Sequence, residues 1–196
     1  MSIVHSSQRW DSEYQSGRWD FLHSMQEAAR FGIVAGWIHH MFDQVAVLDV
    51  GCGEGVFLRH LDPHRLTRYV GVDISETALA RFSPRGVANV RTMCSALETF
   101  DADPGERFDA ILFNEVLFHA GDPYAALHRY RQWLAPGGVM AVSFYQTPRA
   151  TSGARRQTQD LWSALEQASW KVLDSVTLFN EDRNLFWRLR LVQAID

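Results

Sequence analysis

VLDVGCGEGVF, residues 47–57, is an apolar run that stops abruptly at glycines spaced two apart. It reads as a buried strand, a tight turn and the first turn of a helix. Gly51, Gly53 and Gly55 let the backbone turn sharply and let a ligand rest on main-chain N–H groups, because a Cβ would block both. A nucleotide-like cofactor is the natural occupant. The G-x-G-x-G spacing differs from the G-x-G-x-x-G of dinucleotide sites, and Asp49 and Glu54 flank the loop with negative charge. Both features disfavour a pyrophosphate and favour a ligand that carries positive charge.

Outward from this loop, the apolar run TRYVGVD at 67–73 ends in Asp73. A second parallel strand would deliver that carboxylate beside the glycine loop, where it can accept hydrogen bonds from both hydroxyls of a ribose. Asp73 could also serve as a helix cap, yet Ser75 already stands in place for that duty. With VLDVGCGEG followed by GVD, the chain resembles the class I S-adenosylmethionine-dependent methyltransferases. FDAILFNEVLFHAGDP at 108–123 and LAPGGVMAVSFY at 134–145 follow in that family's order and spacing, so the resemblance covers roughly residues 45–145. It implies an α/β fold: a Rossmann-like, doubly wound, mostly parallel seven-stranded sheet with an antiparallel C-terminal hairpin and an N-terminal helical lid. It also implies S-adenosyl-L-methionine as cofactor.

The chain's 196 residues suffice for one well-buried α/β domain, and 46% hydrophobic with 21% charged residues is ordinary globular composition. We expect a single methyltransferase domain over 1–196, with a lid at 1–42, a cofactor-binding core at 43–145 and a C-terminal helix and β-hairpin at 146–196. The net charge of −4, with basic residues scattered, argues against a large nucleic-acid footprint. Cys52 and Cys94 offer no disulfide framework, and no signal-like or eighteen-residue apolar segment occurs. A cytoplasmic protein without membrane attachment is expected, as a monomer or homodimer.

Leu22, Met25, Ala29, Ile33 and Trp37 fall at helical spacing over 21–41. Strands at 45–50, 68–72 and 89–93 then alternate with helices at 54–61 and 76–82, the signature of right-handed crossovers and a parallel sheet. A strand at 108–113 follows, then a helix capped by Asp122 with Pro123 at its first position and Leu127, Tyr130 and Leu134 inward. Pro136, Gly137 and Gly138 turn the chain into a strand at 139–145. Leu161, Leu165 and Ala168 define another helix face. KVLDSVTLF and LFWRLRLV, separated by NEDRN, read as a hairpin.

In an open parallel sheet the ligand lies over the carboxyl ends of the strands. The backbone at Gly51, Cys52 and Gly53 would then bound the methionine portion of the cofactor. Asp73 would take the ribose and Ile74 the adenine face. Where the family commonly has an acidic residue for the adenine amino group, this chain has CSALE at 94–98, so Ser95 or the main chain at Ala96 and Leu97 must serve. Asn114 and Glu115 would sit at the end of the fourth strand near the sulfonium.

A subset that includes ubiquinone O-methyltransferases and small-RNA 2′-O-methyltransferases carries E-x-x-E-H at this point for metal-assisted work. This chain keeps Glu115 and His119 but has Phe118 in place of the second Glu. A divalent ion needs several convergent donors, so no metal is expected. His119 can instead take the proton that a hydroxyl or protonated amine must lose, or simply bond its own loop. Glu115 is the other candidate for the catalytic step.

RWDSEYQSGRWDFL, from residue 9, resembles the W-x-x-x-Y and W-D segment that precedes the domain in thiopurine, tellurite and Nod-factor methyltransferases, where it folds over the cofactor. Trp10, Tyr14 and Trp19 would offer aromatic surface to the cation, or else pack on the sheet edge. Arg149, Arg155 and Arg156 in the loop 145–156 would receive an anionic acceptor or stay solvated. The expected activity is methyl transfer to an oxygen or nitrogen of a small acceptor, such as a sugar or secondary metabolite. Three rivals remain: an RNA methyltransferase, an NAD oxidoreductase with the wrong glycine spacing, and a non-catalytic S-adenosylmethionine-binding protein.

Overall fold

The computed structural model describes residues 7–84, 86–146, 159–163, 165–166 and 169–195. Two helices come first, α1 (Ser7–Gln15) and α2 (Met25–Met41), joined through a 3-10 turn at Asp20–His23. The remaining elements are β1 (Val45–Val50), β2 (Leu66–Asp73), α3 (Glu76–Arg81), β3 (Val90–Cys94), β4 (Phe108–Asn114), α4 (Pro123–Tyr130), β5 (Leu134–Gln146), β6 (Trp170–Asn180) and β7 (Leu185–Ala194). They build one seven-stranded sheet in the order β3-β2-β1-β4-β5-β7-β6. The first five strands run parallel, and β7 pairs antiparallel with both β5 and β6. This is the Rossmann-like architecture the sequence implied.

Strand order reverses between β1 and β4, because β1 pairs with β2 on one side and β4 on the other. A crevice therefore opens at their carboxyl ends. Every residue of β1 is buried, as a central strand covered on both faces requires. One face packs Leu48, Val50, Ile111 and Phe113 against α4 residues Leu127 and Tyr130, and the other packs Val47, Ala110 and Leu112 against α2. Burying these aliphatic and aromatic side chains contributes about 1.5–3 kcal/mol apiece.

The caps form as the sequence indicated. Ser75 Oγ accepts from Ala78 N at 3.1 Å, and Asp122 Oδ1 accepts from Ala125 N at 2.9 Å. Three expectations need correction. The helix placed at 54–61 is only a 3-10 turn at Phe57–His60, since Gly55 has φ +75° and Pro63 follows closely. The inward face of α2 is Phe31, Val34, Ala35 and Ile38, and Met25 is 84% exposed. Counting apolar residues misplaced that face because Glu27 and Arg30 share it, paired with each other. Leu134 lies at the start of β5, half-buried, and the Pro136–Gly138 turn is an irregularity within that strand.

Residues 159–163 are helical and bury Leu161 and Trp162, and Leu165 beyond them is also buried. Ala168, Arg149, Arg155 and Arg156 lie outside the described residues. Among the described residues no helix is long and apolar enough to cross a membrane.

Candidate functional site

A cavity of about 440 Å³ opens over the carboxyl ends of the parallel strands, between the glycine loop and the α1–α2 segment. Gly51 and Gly53 define its floor, with φ of +72° and +54°. Each is also crowded. A Cβ on Gly53 would stand 2.5 Å from Tyr14 Oη, and one on Gly51 would stand 2.6 Å from Val116 Cγ2. Gly53→Ala is therefore expected to lose about 1–2 kcal/mol for the left-handed backbone alone, with a further loss from displacing Tyr14. Urea unfolding checks this, and Tyr14→Phe in the Gly53→Ala background should recover the part due to the hydroxyl.

Asp73, at the end of β2, is 9% exposed and holds the loop in place: Oδ2 accepts from Gly53 N at 2.8 Å and Oδ1 from Ser75 N at 2.9 Å. Burial raises its pKa, and those backbone donors pull it back. A carboxylate has about four acceptor sites, so lone pairs remain for a ligand.

Asp49 lies deeper. Its Oδ2 accepts from Tyr69 Oη at 2.5 Å, while Oδ1 is buried with no partner among the described residues. Burial pushes its pKa up to about 7; the Tyr69 bond opposes this and the nearby Asp73 charge adds to it. Asn114 also favours the carboxylate, although its Nδ2 meets no acceptor in hydrogen-bond geometry. Cys52, beside them, has a buried thiol whose pKa burial drives well up, which makes it a neutral wall.

Residues absent from the sequence-based expectation complete this end of the cavity. Glu27 and Arg30 of α2 are 2% and 3% exposed, and Arg30 Nε donates to Glu27 Oε2 at 2.8 Å. Arg30 Nη1 is buried with no partner among the described residues. Arg183, from the turn between β6 and β7, donates to Glu27 Oε1 at 3.1 Å. The one sequence signal was an i, i+3 charge pair inside an otherwise apolar helix.

At the end of β4, Glu115 adopts φ +58° and lines the cavity. Each carboxylate oxygen accepts one bond, Oε1 from Ser143 Oγ at 3.1 Å and Oε2 from Tyr145 N at 2.5 Å. Burial raises its pKa, with Arg30 the largest opposing influence. His119 closes the 3-10 turn Leu117–His119; its ring meets Trp10 edge-on at 4.8 Å and Phe118 at 4.2 Å.

Ile74, Ser95, Ala96 and Leu97 form the rim over β2 and β3. Ser95 Oγ is engaged by Ala96 O and Thr99 Oγ1, whereas the N–H groups of Ala96 and Leu97 meet no acceptor among the described residues.

The roof is aromatic. Trp19 lies 5.6 Å from Trp10 and 6.2 Å from Tyr14, centroid to centroid. The roof is also fastened: Asp11 accepts from Ser75 Oγ at 2.7 Å and Thr77 N at 3.0 Å, and His23 pairs with Glu54 at 2.8 Å. Among the described residues no group of three His, Cys, Asp or Glu side chains could hold a metal ion.

A glycine loop on β1, a carboxylate closing β2 and an aromatic roof over the reversal of strand order define a Rossmann-like nucleotide-cofactor class. The chain belongs to the methyltransferase domain family, whose profile matches residues 21–182. It is 34% identical over 124 residues to an uncharacterized methyltransferase of Mycobacterium tuberculosis, covering 63% of this chain and 61% of the relative. It is 38% identical over 101 residues to a ubiquinone biosynthesis O-methyltransferase of a Bradyrhizobium species, covering 50% of this chain and 38% of that one. The chain thus spans less than two thirds of these curated relatives. The N-methyltransferase NodS from Bradyrhizobium japonicum, solved in complex with S-adenosyl-L-homocysteine, shares the fold with a TM-score of 0.73 at 20% identity, over 91% of this chain and 92% of that one.

Proposed function

We propose that this protein binds S-adenosyl-L-methionine and transfers its methyl group to an oxygen or nitrogen of a small acceptor. The observation that carries the reading is a pair of buried atoms on residues that line the cavity, Asp49 Oδ1 and Arg30 Nη1, neither with a partner among the described residues. Leaving buried polar groups unsatisfied costs about 1–3 kcal/mol each, more when charged. A zwitterionic amino-acid end satisfies both: its ammonium suits Asp49 and its carboxylate suits Arg30. The remaining lone pairs of Asp73 suit a ribose, and the N–H groups of Ala96 and Leu97, which meet no acceptor among the described residues, suit adenine nitrogens, with Ile74 against the ring. Gly51, Cys52 and Gly53 border the chain between these ends, near Asn114, and Tyr14 and Trp19 roof it.

The cofactor, when bound, supplies an electrophilic methyl carried on a sulfonium. The protein holds the acceptor atom in line and excludes water, which can supply most of the acceleration of such a displacement. To His119, which lines the cavity, we assign removal of the acceptor's proton. Glu115 we assign to holding the ends of β4 and β5 together, since Ser143 Oγ and Tyr145 N, both of β5, donate to its carboxylate. We take the acceptor to be of the sugar or secondary-metabolite kind, met by the mixed aromatic and polar lining of the cavity.

The test is calorimetric titration of S-adenosylhomocysteine, followed by transfer of a labelled methyl to a panel of hydroxyl and amine acceptors. Failure to bind would sink the cofactor assignment. Binding without transfer to any acceptor would leave a non-catalytic binding protein.

Asp49 makes the affinity pH-dependent. Its pKa in the ligand-free protein is about 7, so below that value binding an ammonium must first expel a proton. Affinity should rise with pH toward 7, by at most about tenfold per unit, and Asp49→Asn should flatten the profile. The same raised pKa makes its stabilising contribution to the ligand-free fold complete below about pH 4 and lost as pH climbs through 7.

A further inference from the structure

We propose that the tip of the C-terminal hairpin is part of the cofactor's amino-acid subsite, with Arg183 and Glu27 acting as positioning residues that set Arg30 against an α-carboxylate. The proposal rests on the cofactor reading above. Glu27 is bonded at both ends: Arg30 Nε holds Oε2 at 2.8 Å and Arg183 Nη1 holds Oε1 at 3.1 Å. The three residues share one buried carboxylate and all border the cavity.

Fixing Glu27 fixes the guanidinium plane of Arg30, because Nε is anchored and the fork is rigid. The edge left over includes Nη1, a buried atom without a partner among the described residues. A guanidinium presented in one orientation loses less freedom on pairing with a carboxylate than a swinging one. Arg183 reaches Glu27 from 156 residues away, which is how the hairpin enters the site. A second tie, Trp37 Nε1 to Asp174 Oδ2 at 2.7 Å, also joins α2 to the hairpin, but neither residue lines the cavity. It serves as a control for simple docking of the hairpin.

The chain should therefore discriminate ligands with an α-carboxylate from those without one. Calorimetry with S-adenosylhomocysteine and with 5′-methylthioadenosine, which keeps the nucleoside and sulfur but lacks the amino acid, tests this on the full chain. Arg183→Ala should weaken S-adenosylhomocysteine by about 3- to 10-fold, the range of one ordinary net hydrogen bond, since Arg183 acts through Glu27 rather than on the ligand, and leave methylthioadenosine unchanged. Arg183→Lys should restore part of the loss. Glu27→Gln should narrow the preference further, and Asp174→Asn should not change it.

An unchanged preference in Arg183→Ala, or equal weakening of both ligands, would overturn the positioning role. Equal affinity of the two ligands in the unaltered protein would overturn the subsite while leaving the cofactor reading intact. Binding of neither would remove both.

Discussion

Asp73→Ala should weaken S-adenosylhomocysteine binding by at least about 100-fold, the equivalent of two hydrogen bonds to a charged group at about 1.5 kcal/mol each. The same substitution should lower the unfolding free energy by about 1–3 kcal/mol, because Gly53 N and Ser75 N both donate to this carboxylate. The two effects separate by experiment. Titration calorimetry reads the first, and urea unfolding without ligand reads the second. Asp73→Asn retains one acceptor oxygen and should fall between the parent and Asp73→Ala in both. If stability drops while binding persists, Asp73 only braces the glycine loop, and the ribose assignment fails.

Arg30→Met should have the largest effect on stability. Glu27 is 2% exposed, and losing Arg30 leaves it with Arg183 alone. Removing one member of a buried ion pair typically costs about 3–5 kcal/mol when the remaining charge is left uncompensated, and with Arg183 still on Glu27 the loss should fall at the lower end of that range. Replacing both residues, Glu27→Met with Arg30→Met, should recover most of that loss, since apolar side chains fill the space without a buried charge. Arg183, with a side chain 39% exposed, can turn to solvent in that variant. Neither Arg30 variant should bind S-adenosylhomocysteine tightly. Full affinity in the folded double variant would show that the amino-acid end is held elsewhere.

The sequence made the strands legible because each parallel strand is a local apolar run ended by a turn signal. VLDVGCGEG located β1 and its loop, and Asp73 and Asn114 were found at strand ends because strand ends are where apolar runs stop. Capping was equally local: Ser75 and Asp122 bond groups three residues away. The length of the element after the glycine loop was not legible. Whether Val56 onward winds as an α-helix or a single 3-10 turn depends on what packs on Phe57 and Leu58, and those neighbours come from α2.

The sequence by itself determined the sheet, its glycine loop and the acidic residues at its carboxyl edge, since these follow from hydrophobic periodicity and from backbone conformations that only certain residues adopt. Tertiary structure alone decided what the charges do. Glu115 stood in the sequence as a candidate for the catalytic step, and the fold sets Ser143 Oγ and Tyr145 N of β5 against its carboxylate; Glu27 and Arg30, which the sequence did not single out, are buried where Arg183 meets Glu27. A charge reads as exposed in any local window, and only the fold, by bringing Arg183 across 156 positions to Glu27, supplies the partner that allows such a charge to be buried.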